Sequence, residues 1–200
     1  MVRHRLVHRV KGFALLAMSL WLPGAGCGLF DTRQPATGDS EGGTWVPPTL
    51  AEIAVENLER ALEAGIFTDY TRALTEDFSF TPDDADVATY AQERPGEDVY
   101  GGWTREVEVQ TAEAIRTAAT GLDLVLVFKE EELVPDGRLR KYDYDLLVTV
   151  GETATQYVGE VRFTITQVAG GDWVISGWED VASDPQTPSW GFLKGANRLL

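Results

Sequence analysis

Tyr142 and Tyr144 stand one residue apart in the stretch LRKYDYDLLVTV, residues 139–150, a spacing that puts both phenols on one face of a β-strand. A phenol beside a carboxylate in an apolar pocket can move protons at a carbon acid without histidine. Asp69 and Glu76, in the helical first half of the chain, are candidate carboxylates for such a pair. The other reading packs both tyrosines in the core with their hydroxyls bonded at its rim. It has the stronger ground, because no carboxylate falls at a clearly inward strand position.

Other chemistries lack material. The two histidines, His4 and His8, both precede residue 27, and Cys27 is the one thiol. A body without either residue type cannot build a Ser-His-Asp triad or a Cys/His metal site. Asp83, Asp84 and Asp86 are oxygen donors, but they lack the glycine and distal glutamate of a calcium loop and read as a solvated acidic turn. Gly101-Gly102 and Gly170-Gly171 do not sit between a strand and a helix as phosphate loops do. No metal and no cofactor is expected.

Cys27 reports location. Arg3, Arg5, Arg9 and Lys11 precede an apolar run from Phe13 to Leu22 and then small residues, the order of a cleaved secretory signal. The run is shorter than the about 20 residues that span a bilayer. Ala25-Gly26-Cys27 resembles the lipobox of bacterial lipoproteins, although Gly24 replaces the usual Leu. That resemblance implies lipidation of Cys27 after removal of residues 1–26, and Gly28 in place of Asp implies sorting to the outer membrane, with the domain in the periplasm or at the cell surface. Residues 27–48, rich in Pro, Gly, Ser and Thr, read as a flexible tether and residues 49–200 as one domain with a C-terminal tail.

The signal carries four of the 17 basic residues and none of the 32 acidic ones, leaving 13 against 32 and a formal charge of −19. Nucleic acid is excluded as a partner, and so is a polybasic grip on anionic lipid. The membrane is reached through the acyl chains on Cys27.

The elements that must position the tyrosines follow from periodicity. Thr49 and Glu52 have capping-box spacing before an apolar stripe from Leu50 to Leu62, and Gly65 offers a left-handed stop. Thr68 caps a short second helix to about Leu74, Phe78–Phe80 reads as a short strand, and residues 83–102 as irregular. A third helix is expected over Trp103–Ala119. From Leu122 the period becomes two, giving long strands over 122–131, 138–150, 153–168 and 172–182 that pair antiparallel across short turns. The fold class is α+β: about three helices packed on a curved antiparallel sheet of four long strands and a short one.

This order resembles the NTF2-like cone of ketosteroid isomerase and SnoaL-like proteins. The ends, CGLFDTRQP at 27–35, Trp173-Val-Ile-Ser-Gly-Trp-Glu-Asp180 and Trp190-Gly-Phe-Leu-Lys194, resemble a group of bacterial NTF2-like lipoproteins, with Gly177 where that group carries Arg. The resemblance implies a cone whose pocket candidates are Tyr142, Tyr144, Tyr157, Phe163 and Trp173. Trp190, Phe192 and Leu193, beyond the last strand, either plug its open end or mark a patch for a partner. Two functions stand. The first is a non-enzymatic lipoprotein binding an apolar small molecule or an envelope protein; the alternative is an isomerase- or dehydratase-like enzyme using Tyr and Asp or Glu.

Overall fold

The computed structural model describes residues 45–184 and 186–198. The signal segment, Cys27 and the tether up to residue 44 lie outside them. Five strands form one sheet in the order β1-β5-β4-β3-β2, with β1 Leu74–Thr81, β2 Gly121–Val134, β3 Gly137–Val150, β4 Thr153–Gln167 and β5 Trp173–Ala182. The four long strands are antiparallel neighbours, as short links dictate. β1 runs parallel to β5, a direction that the long connection between them, two helices and three strands, allows.

The alternation in β3 and β4 decides which face is covered. Tyr142, Tyr144, Leu146 and Val148 on β3 and Val161, Phe163 and Ile165 on β4 are buried, whereas the intervening Asp143, Asp145 and Arg162 lie on the opposite face. Helices α1 Ala51–Ala64 and α4 Arg105–Ala118 lay their apolar stripes on that covered face. Gly65 closes α1 in the left-handed region at φ 70°, as its sequence position implies. The expected capping box does not form. Leu50 is the cap, so Glu52 falls one position too early to reach back, and it pairs with Arg140 at 3.0 Å instead. Buried Asn57 fastens the incoming chain, accepting from the Val46 amide and donating to the Val46 carbonyl.

Two further helices form where the sequence pattern predicts none. Residues 83–102, expected to be irregular, contain α3, Asp84–Glu93, capped by Asp83 through the Ala85 amide. The tail forms α5, Trp190–Asn197, capped by Ser189 through the Phe192 amide. With the short α2, Phe67–Arg72, the helices number five among the described residues, four of them N-terminal to the long strands, where about three are expected.

Candidate functional site: a cone interior occupied by the C-terminal helix

α5 enters the concave side of the sheet. Trp190 is buried with its ring edge-on to Trp178 at 4.4 Å and to Tyr144 at 5.7 Å, and Leu193 is buried beside it. Phe192, half-buried, stacks on Tyr90 of α3 at 5.1 Å. Two glycines four residues apart let the helix come this close. A Cβ on Gly195 would lie 2.5 Å from the Tyr90 ring, and one on Gly191 2.7 Å from Asp180 Oδ2.

The N-terminus of α5 meets two carboxylates. Asp180 Oδ2 accepts from the Gly191 amide at 2.7 Å, and Asp86 accepts from the Ser189 hydroxyl. The Tyr144 hydroxyl accepts from the Trp190 amide at 2.7 Å. Negative groups belong at this end of a helix, where the unpaired amides concentrate positive potential. Burial nevertheless pushes Asp180 up to about 6, against the lowering effects of the Gly191 amide, Lys194 and the Ser189 and Tyr144 hydroxyls. Asp180 Oδ1 has no hydrogen-bond partner of its own. Burial also raises Asp86 and holds Tyr144 well above the usual phenol range.

One turn further along α5, Lys194 points into the same interior and is 2% exposed. Its Nζ lies 2.8 Å from Oε1 of fully buried Glu108, a close contact of opposite charges. Glu108 is held independently, because the Tyr70 hydroxyl donates to Oε1 at 2.8 Å and Trp103 Nε1 to Oε2 at 2.9 Å. Burial and the Glu108 charge keep Tyr70 protonated far above pH 10. Desolvation lowers Lys194 to about 8, with Glu108 working in the opposite direction.

The sequence-derived pocket residues do not share one cavity. Tyr142 packs between Phe128 and Phe163, Phe163 against Trp178, and Tyr144 against Trp190. Half-buried Tyr157 lines an outer cleft of about 210 Å³ with Ile115, Val148, Leu193 and Asn197. Trp173 is half-buried under the Arg138 guanidinium, 5.3 Å from the ring centroid, and its amide donates to Pro48 O. Glu76 is exposed on β1, and Asp69 lies in the first turn of α2. The acids that do reach the interior are Asp180, Glu108 and Asp86, none of which the sequence reading singled out for proton chemistry. Asp83 and Asp86 are thus not a solvated turn: the first caps α3 and accepts from the Ala182 amide, and the second is buried against Ser189. Among the described residues, no cluster of three or more His, Cys, Asp or Glu is placed to hold a metal, and no helix is long and apolar enough to cross a membrane.

The chain is similar to a conserved protein from Planctomyces limnophilus at a TM-score of 0.52 and 13% identity, covering 64% of this chain and 89% of that one. It is similar to a ketosteroid isomerase-like protein from Erwinia carotovora atroseptica at 0.52 and 13%, covering 69% and 97%. A protein of the NTF2-like family from Streptomyces avermitilis matches at 0.50 and 12%, covering 66% and 93%. No protein-family model matches the sequence, and no curated protein matches it. Likeness at such identities defines the fold: this is an NTF2-like α+β cone.

Proposed function

We propose that this chain is a lipid-anchored envelope lipoprotein whose NTF2-like cone is a non-catalytic binding or scaffold module. One observation carries the reading: Trp190 and Lys194 of the chain's own α5 fill the space against Tyr144, Asp180 and Trp178. The phenol and carboxylate that could move protons are spent on the backbone amides of residues 190 and 191. A protein partner suits the outside of this cone, because strand β2 forms a sheet edge exposing Val125, Val127 and Leu133. Anchoring rests on the lipobox resemblance, and Cys27→Ser should abolish labelling by radioactive palmitate; undiminished labelling defeats the anchor.

The cone is tested with an apolar fluorescent probe, 1-anilinonaphthalene-8-sulfonate. The full-length chain should leave it dark, and Trp190→Ala, which removes the largest side chain of α5 from the interior, should make it fluoresce. A bright wild type would mean an accessible cone and would favour the isomerase- or dehydratase-like reading, for which Asp180 beside Tyr144 is the acid–base pair.

A further inference from the structure

Lys194 does more than pair with Glu108. Its Nζ lies 3.1 Å from the ring centroid of Trp178, 4.2 Å from that of Phe80 and 5.6 Å from that of Trp190. Aromatic faces closing on a cation, with a carboxylate at 2.8 Å, make the environment that recognises organic ammonium ions. Most of this box is supplied from outside α5. Phe80 comes from β1, Trp178 from β5 and Glu108 from α4, and the two donors that hold Glu108, Tyr70 and Trp103, also lie outside α5. A buried carboxylate left without its cation is costly, so an empty box demands a positive replacement. It also demands an apolar stem, since the Lys194 side chain is buried at 2% exposure with its end against the rings of Phe80, Trp178 and Trp190.

We propose that the space filled by Lys194 is a binding site for a primary alkylammonium, with Lys194 as its resident occupant, and that an amine carried on an apolar stem is the ligand class that displaces α5. This rests on the reading of the cone as a binding module closed by its own helix, and names what that module takes.

Lys194→Ala in the full-length chain removes three carbons and the nitrogen, the atoms of propylammonium. Its melting temperature should rise saturably, by about 3 °C, in propylammonium chloride relative to sodium chloride of equal ionic strength. Propanol should not reproduce the rise, and neither Lys194→Met nor the double variant Glu108→Gln/Lys194→Ala should show it. If Lys194→Ala does not fold, the wild type carries the test alone, through hydrogen exchange of the amides of residues 190–197. Propylammonium should speed that exchange several-fold over sodium chloride by competing for the box. A Lys194→Ala melt that ignores propylammonium, or responds equally with Glu108→Gln, overturns the ammonium site, and unchanged exchange in the wild type overturns displacement of α5. A wild type that already lights the apolar probe instead defeats the closed-cone reading, so the two failures are distinguishable.

Discussion

Glu108 and Lys194 form a fully desolvated ion pair, and such a pair is defined by the cost of breaking it. Removing one partner leaves a buried charge and typically costs about 3–5 kcal/mol, whereas replacing both with apolar groups is often neutral. Glu108→Gln should therefore lower the free energy of unfolding by about 3 kcal/mol at pH 7 in urea titrations, and Glu108→Gln/Lys194→Met should recover most of it. The loss should shrink above pH 8, because Lys194, already lowered to about 8, then sheds its proton and needs no counter-charge. A Glu108→Gln defect that stays constant to pH 10 would mean that the carboxylate serves Tyr70 and Trp103 rather than the ammonium.

α5 is held by a collar that reads as solvent-facing in sequence. The Tyr90 and Tyr100 hydroxyls donate to the carbonyls of Phe192 and Gly191 at 2.9 Å, and Arg198 donates to Val99 O and Gly101 O. α3 buries only Asp86 and Tyr90, and both are bonded to the tail rather than set in an apolar stripe, which is why residues 83–102 look irregular while α1 and α4 are legible from spacing. The long strands were legible for the opposite reason: β3 alternates from Arg140 to Val148 and β4 from Gly159 to Ile165. β5 does not. Ser176 is an extra residue between the pairs Thr164–Gly177 and Ile165–Ile175, and this bulge turns Trp178 and Asp180 inward where simple alternation would bury Glu179. Asp180, the one buried strand carboxylate among the described residues, was hidden by that single residue. The Gly191-x-x-x-Gly195 spacing was the visible sign of a close helix contact. Gly195→Ala tests it, since alanine favours a helix by about 1 kcal/mol over glycine yet its Cβ would meet Tyr90 at 2.5 Å and the Tyr100 hydroxyl at 2.6 Å. Overpacking of about 1–3 kcal/mol should win, giving a lower urea midpoint. A raised midpoint would place α5 off the collar.

For the molecule as a whole, pH acts on the seat of α5 against the ordinary direction of acid denaturation. Asp180 is faced by Tyr144 from β3, by Ser189, the Gly191 amide and Lys194 from the tail, and more distantly by Asp86 and Tyr100 from the α3 segment. Its carboxyl is raised from 3.8 to about 6, and Asp86 is raised as well. Between those values the folded chain keeps a proton that the unfolded chain has released, so this contribution is complete below about pH 4 and lost as the pH climbs through 6. Its upper size is about 3 kcal/mol, from about two units of displacement. The excess of acidic residues adds the same slope, since self-repulsion in a chain of net charge −15 relaxes on mild acidification. Asp180→Asn separates the two, because an amide still accepts from Gly191 but carries no titrating proton. Relative to wild type, the variant should be more stable at pH 7 and should lose most of that advantage by pH 4.5, read from urea titrations at each pH. Parallel pH profiles for the two proteins would mean that the charged form of Asp180 is as well accommodated as the neutral one, and the acidic surface alone would then set the pH response.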